Sequence, residues 1–187
     1  NWGKCKLATT SYGHGITTTI LQLANAYSVI TNGGYKIYPK IVIDDKNKDQ
    51  PDDKFTPLYE NPENIRIVQD AMFGSTNEVM GTSYRSRISD PKYQFAGKTG
   101  TAQVKKITER DRELDLKTFE IPYEERDHAL YIAYGPYKHP RYAVSVIVEH
   151  GGNGSTTAAP MAKKLFKSII DRHELRVSIN NKRYMDI

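Results

Sequence analysis

Tyr93-Gln94-Phe95-Ala96-Gly97-Lys98-Thr99-Gly100-Thr101-Ala102-Gln103-Val104 is the stretch on which the reading of this chain turns. It reads as a strand over 93–104 carrying two glycines, and glycine inside a strand marks a place where another backbone or a ligand comes close. Lys98 sets a cation beside the hydroxyls of Thr99 and Thr101. A strand edge adds N–H groups. Such a set suits an acyl substrate with a carboxylate: the lysine and hydroxyls hold the anionic end while a backbone N–H polarises the carbonyl. A donor of that kind contributes ~2.7–4 kcal/mol in the transition state. Lys-Thr-Gly alone arises by chance in about one chain of this length in twenty-five, so the surroundings must carry the rest.

Downstream, 129–134 (Ala129 to Tyr134) and 141–149 (Arg141 to Glu149) are strongly apolar runs joined by a short connection, the pattern of an antiparallel hairpin. The second run is apolar on both faces, which calls for cover on both sides of the sheet. After Gly151-Gly152-Asn153-Gly154, helical spacing of Met161, Leu165, Phe166, Ile169 and Ile170 predicts a helix over 156–172, with Pro160 in its first turn. Residues 174–187 read as a polar, frayed tail.

Upstream, Ile20, Leu23, Ala24, Tyr27 and Ile30 recur at helical spacing, with Thr17 to Thr19 as N-cap candidates and Asn32-Gly33-Gly34 as the stop. Residues 35–43 read as a strand interrupted by Pro39, hence an edge or a bulge. Asp44 to Lys54 is a charged loop. A helix over 62–73, running to about 80 at most, opens on Pro62 and faces inward with Ile65, Val68, Met72 and Phe73. Residues 105–127 form a long charged excursion between strands, and loops of that length carry function or motion. The skeleton is an α/β mixture of the α+β type: an antiparallel sheet flanked by helices.

Composition narrows the classes. In 187 residues, 38% are hydrophobic and 26% charged, enough apolar content for a packed core. The net charge of +5 comes from interspersed residues of both signs, and the 13 tyrosines do not interleave with a basic stripe, so nucleic-acid binding is not expected. Salt-dependent retention on nucleic acid is the cheap test of that rival. The lone Cys5 permits no internal disulfide, and Cys5 with His14 does not close a metal site. No apolar run approaches the ~20 residues of a membrane span. The chain opens without a methionine or a signal peptide and reads as a piece of a longer protein.

The motif set of serine-x-x-lysine, serine-x-asparagine and lysine-threonine-glycine belongs to penicillin-binding proteins. Gly97 to Val104 resembles its third member with the usual flanks. Ser11-Tyr12-Gly13-His14-Gly15, then Gln22-Leu23-Ala24-Asn25-Ala26-Tyr27 and Asn32-Gly33-Gly34, resemble the block that precedes it in class B transpeptidases. Glu125-Arg126-Asp127-His128-Ala129-Leu130, Pro140 to Val146 and Glu149-His150-Gly151-Gly152 resemble the elongation-specific branch of that class. The likeness runs over about residues 10–172 in order and spacing.

What the resemblance implies is the latter half of the penicillin-binding protein/β-lactamase-like transpeptidase fold, residues 1–173, followed by the tail. It implies a serine acyltransferase that attacks the penultimate D-alanine of a peptidoglycan stem peptide during cell-wall elongation and is stalled by β-lactams. Carried onto this chain, Lys98 helps set the electrostatics and proton network, Thr99 and Thr101 bind the substrate or drug carboxylate, the Thr101 N–H is an oxyanion donor, and Gly100 keeps the strand open. Asp127 and His128 order the long loop near the site. No cofactor or metal is implied. The implied partners are D-Ala-D-Ala stem peptides, β-lactam antibiotics and a membrane glycosyltransferase of the elongation complex. The implied location is the periplasmic face of the inner membrane.

Two letter matches are decoys. Ser89-Asp90-Pro91-Lys92 copies serine-x-x-lysine, but Ser89 reads as lying on the same extended segment as Thr99, ~30 Å away at ~3.3 Å per residue. Ser75-Thr76-Asn77 copies serine-x-asparagine and reads as the polar end of a helix. The nucleophile is therefore expected upstream of residue 1, and the chain alone is expected to be inactive. His14 reads as a turn residue and His150 as a hairpin-end residue. Gly151 to Ser155 lacks the lysine of a phosphate loop. The rivals are a septal class B transpeptidase and a non-catalytic binding module on the same fold.

Overall fold

The computed structural model describes residues 3, 6–11, 13, 15–41, 56–105, 109–114 and 116–185. Cys5, His14 and the charged loop Asp44 to Lys54 lie outside the described residues. The elements in order are α1 (Lys6–Ser11), α2 (Ile20–Thr31), α3 (Pro62–Asn77), β1 (Ala96–Ala102), α4 (Glu109–Leu114), β2 (His128–Gly135), β3 (Tyr142–Val148) and α5 (Ala159–Met185).

The three strands form an antiparallel sheet in the order β1-β2-β3. Thr99 lies opposite Tyr131, Gly97 opposite Ala133, and Tyr131 opposite Val146. One face buries Phe95, Ala129, Tyr131 and Ala133 against Ala158, Ala159, Ala162 and Phe166, with Val144, Val146 and Val148 packed at the rim. The other buries Ala96 and Tyr134 against Met72, with Tyr27 and Phe73 packed on them. Helix α5 covers the first face, and α2 and α3 the second. This is the two-sided cover that the apolar β3 demanded.

Local signals explain most boundaries. Thr19 caps α2 in a capping box: its side chain accepts from Gln22 N–H at 3.1 Å, and Gln22 Oε1 accepts from Thr19 N–H at 2.8 Å. Asn61 Oδ1 accepts from Glu63 N–H at 2.9 Å, and Pro62 occupies the first turn of α3 as its fixed φ favours.

Five expectations need correction. Among the described residues, 35–41 form no strand; a single bridge joins Tyr35 to Pro57, with Lys36 N–H donating to the Thr56 carbonyl at 2.9 Å. The tail is not frayed: α5 continues to Met185, with neither glycine nor proline to stop it. The excursion after β1 is not bare loop, since it contains α4 and a 3₁₀ turn at Tyr123–Glu125. The inward face of α5 is Ala159, Ala162, Phe166 and Ile170, while Met161 and Leu165 stay exposed. A π-helical turn, Gly154–Ala158, leads into α5 and lets the alanines sit close on the sheet. On α3, Val68 also faces outward.

Candidate active site

Lys98, Thr99, Gly100 and Thr101 lie in the middle and later part of β1, the outer strand of the sheet, so one edge of the motif pairs with β2 and the other is turned away from the sheet. In an antiparallel pair, successive residues direct their N–H and C=O alternately toward and away from the partner. Gly97 identifies the outward set. Its N–H donates to Thr76 Oγ1 at 3.0 Å, and its carbonyl accepts from the same hydroxyl at 3.3 Å. Phe95 falls in the same set, and its carbonyl accepts from Asn77 Nδ2 at 2.9 Å. Thr99 and Thr101 are therefore the next outward positions.

The two halves of this edge differ. Side chains at the end of α3 cap Phe95 and Gly97. At Thr99 the carbonyl accepts only the ammonium of Lys98, at 2.9 Å, with the Thr99 hydroxyl 3.4 Å from the same nitrogen. Among the described residues, nothing caps Thr101. Lys98 and Thr101 are exposed and Thr99 half-buried. The face of β1 toward α5 is closed at this level: a Cβ on Gly154 would stand 2.7 Å from the Gly100 carbonyl and 2.5 Å from that of Leu130. A ligand is kept from that face, and the outward edge is open to it.

The capped half is anchored by buried hydroxyls. Thr76, Ser83 and Tyr131 are almost wholly inaccessible. Tyr131 OH lies 2.9 Å from Thr76 Oγ1 and 3.0 Å from Ser83 Oγ. Its ring reaches them across Gly97, where a Cβ would stand 2.6 Å from the hydroxyl. Burial pushes the Tyr131 hydroxyl above its ordinary pKa, an effect the hydrogen bonds to Ser83 and Thr76 partly offset. The letters Ser75-Thr76-Asn77 do mark the end of a helix, but that end is buried against the site strand rather than turned to solvent. Nothing in the sequence distinguishes a helix-ending threonine facing water from one facing a strand edge.

Asp127 and His128 knit the far end of the motif strand. Asp127 Oδ1 accepts from Val104 N–H at 3.2 Å, and its carbonyl accepts from Gly152 N–H at 2.8 Å. His128 Nδ1 accepts from His150 N–H at 2.9 Å, and the two rings meet edge-on at 4.9 Å. His150, in the left-handed region at φ 53°, directs Nδ1 to the Arg126 carbonyl at 3.1 Å and packs its ring near Tyr123. These bonds tie the exit of β1, the return of the long loop and the turn after β3 into one knot.

The decoy Ser89 is separated from β1 by a turn at 90–93, so the extended path expected between Ser89 and Thr99 does not exist. Its companion Lys92 is engaged elsewhere. The ammonium contacts Glu174 at 2.6 Å and Asp171 at 3.7 Å, and the Glu174 hydrogen bond raises its pKa. Ser89 and Lys92 do not share a helical turn, which the chemistry requires. Cavities of about 370 and 450 Å³ lie at the β2–β3 connection against α5 and beside Asp70 and Tyr137, and neither is lined by Lys98 to Thr101. Among the described residues, no three His, Cys, Asp or Glu converge to hold a metal ion, and no helix is long and apolar enough to cross a membrane.

Residues 1–170 match the family model for the penicillin binding protein transpeptidase domain. The peptidoglycan D,D-transpeptidase MrdA of Salmonella typhimurium is 31% identical over 171 residues, which cover 85% of this chain and 26% of that protein. MrdA of Haemophilus influenzae is 33% identical over 156 residues, covering 80% of this chain and 23% of its own length. The solved complex between penicillin-binding protein 2 and MreC from Helicobacter pylori superposes with a TM-score of 0.71 at 27% identity, covering 91% of this chain and 28% of that one. The chain thus spans about a quarter of the length of the curated relatives it matches.

Proposed function

The chain belongs to the penicillin binding protein transpeptidase domain family, and from that premise we propose that it supplies the acyl-donor edge of a peptidoglycan D,D-transpeptidase acting in cell-wall elongation. The observation that carries this is the uncapped half of β1: an outward N–H at Thr101, two threonine hydroxyls and the Lys98 ammonium on one strand edge. An extended peptide can add to such an edge through main-chain hydrogen bonds.

In this mechanism the stem peptide lies along Thr99 to Thr101 with its terminal D-alanine carboxylate on the two hydroxyls and near Lys98. Charge-assisted bonds of this type are the strong ones. A serine outside residues 1–187 attacks the penultimate D-alanine carbonyl. The oxygen gains negative charge in the tetrahedral intermediate, and the Thr101 N–H donates to it. The amide C–N bond then breaks, the departing D-alanine nitrogen takes a proton, and an ester joins the serine to the stem. The amine of a neighbouring stem attacks that ester, restoring the serine hydroxyl and forming the cross-link. A β-lactam presents the same carboxylate and carbonyl, but its opened ring stays tethered, so the ester persists.

Elongation is favoured over septation by the likeness to MrdA and to penicillin-binding protein 2. The Helicobacter pylori relative was solved with MreC; an assembly with a protein of that kind is accordingly the better supported partner, and the glycosyltransferase gains nothing from this likeness. Work at the periplasmic face of the inner membrane follows from the substrate.

Mass-mapped acylation by penicillin of the full-length protein, with Lys98→Ala beside it, tests this function. An adduct on a serine outside residues 1–187 that forms more slowly in Lys98→Ala is the expected result. An adduct on Ser89 would overturn the assignment of the nucleophile. Absence of any adduct would favour a non-catalytic binding module.

A further inference from the structure

We propose that the buried hydroxyl cluster of Thr76, Ser83 and Tyr131 is the positioning device for the acyl-donor edge, an inference that rests on the function proposed above. The residues come from three places in the chain: the last turn of α3, the segment after it, and the middle of β2. Hydrogen bonds of the sheet locate β1 relative to β2, yet they leave the twist and height of an outer strand free to vary relative to α3. The cluster removes that freedom.

Proton accounting shows how. Ser83 Oγ donates to the Ser75 carbonyl at 3.0 Å, and the Thr76 proton is shared between the carbonyls of Met72 and Gly97, both at 3.3 Å. Both oxygens thus have lone pairs for the one proton of Tyr131 OH, 3.0 Å from Ser83 Oγ and 2.9 Å from Thr76 Oγ1, and Thr76 Oγ1 also accepts from the Gly97 N–H at 3.0 Å. Every hydroxyl is satisfied inside the protein; loss of the Thr76 oxygen strands the Gly97 N–H, and loss of the Tyr131 hydroxyl removes the donor that joins Thr76 to Ser83. Gly97 is the residue immediately before Lys98, and Tyr131 lies across from Thr99, the residue after it. The cluster therefore grips the strand at the residue that leads into the lysine, while the Tyr131 backbone lies opposite the residue that follows. It touches neither the substrate nor the reacting atoms; it acts through β1.

The glycine at position 97 is part of the device. Side chains at 97, 99, 129, 131 and 133 share one face by register, and only a missing Cβ at 97 lets the Tyr131 ring pass across the strand to Thr76. A sheet that needed only a filled core would seat an alanine there, as it does at Ala129 and Ala133.

The test uses Thr76→Val, Thr76→Ser and Tyr131→Phe in the full-length protein. A fluorescent penicillin separates the affinity of the first encounter from the maximal acylation rate, and amide exchange of the peptide spanning 96–102 reports on the strand. We expect Thr76→Val and Tyr131→Phe to lower the maximal rate about tenfold, the scale of one hydrogen bond. Encounter affinity should change far less, exchange should quicken, and Thr76→Ser should restore both. Unchanged maximal rates in folded Thr76→Val or Tyr131→Phe would overturn the proposal, as would equal losses in Thr76→Ser and Thr76→Val. If Thr76→Val fails to fold, Tyr131→Phe decides alone. If the wild-type protein takes no penicillin, the enzymatic function fails. Exchange that quickens in Thr76→Val but not in Thr76→Ser would still uphold the positioning role, and exchange that does not change would reject it.

Discussion

The outward edge of β1, taken with the residue before it, runs from apolar Phe95-Ala96-Gly97 into polar Lys98-Thr99-Gly100-Thr101, and the two parts have opposite fates. Phe95 and Gly97 are buried and their outward peptide groups are taken by Asn77 and Thr76. Among the described residues, Thr99 meets only the lysine of its own motif and Thr101, the next outward position, is capped by nothing. An edge strand left open is a hazard that folded proteins normally cover or charge. Here the cover stops where the motif begins, which places the exposed peptide groups where an extended ligand can use them. The buried hydrogen bonds lie in the first half, and the chemistry proposed above belongs to the second.

The largest effect on this contrast is expected from Gly97→Ala. Its methyl would meet Tyr131, a buried ring whose hydroxyl is held by two partners and cannot swing aside. Overpacking of this sort costs about 1–3 kcal/mol, and urea unfolding should show it. A neutral result would mean that the capped half is loose and the contrast overstated.

Asn77→Ala comes next. It removes the amide that caps the carbonyls of Phe73 and Phe95, at 3.1 and 2.9 Å. The expected loss is about 1 kcal/mol in the same unfolding experiment.

Alkaline pH probes the capped half without a cavity or a clash. Burial pushes the hydroxyls of Tyr27, Tyr131, Tyr134 and Tyr137 above the ordinary 10.0. Above that pH the unfolded chain has lost these protons while the folded chain keeps them, so the folded state binds more. Stability is whole below pH 10 and falls as pH rises through the raised values. Denaturant midpoints between about pH 8 and pH 11 should fall, and more shallowly in Tyr131→Phe than in wild type. Parallel limbs would show that Tyr131 is not buried as a neutral phenol.

The smallest effect is expected at Lys92→Met. Its ammonium is paired with Glu174, but the pair is exposed, and such pairs add little. The melting temperature should stay put. A clear drop would give the Ser89–Lys92 region a structural weight that the exposed geometry denies it.

Much of this fold was legible in the sequence because its signals are local. Thr19 with Gln22, Asn61 with Pro62 and the paired apolar runs of β2 and β3 need no knowledge of distant contacts. Apart from the helical tail, which local signals could have shown, the misses depend on such contacts. Tyr35 and its neighbours have strand-like residues, but among the described residues only Pro57 bridges to them. Ala159 and Ala162 look like helix filler until their closeness to the sheet is seen. Of the candidate site, the motif itself could be read from Lys98 to Thr101, whereas the buried hydroxyl cluster beside it could not. Thr76, Ser83 and Tyr131 meet only after α3 is laid along β1, and no spacing in the chain announces that.

The division of labour along β1 is tested most directly by comparing Thr101→Val with Asn77→Ala in the full-length protein. The maximal rate of acylation by penicillin and the melting temperature are measured on both. Thr101→Val should keep the wild-type melting temperature and lose about 10- to 100-fold in acylation, the scale of a hydrogen bond to a charged group. Asn77→Ala should show the reverse order, a lower melting temperature with a smaller change in rate. Wild-type acylation by Thr101→Val would contradict the assignment of the open half of the strand to the carboxylate of the acyl donor.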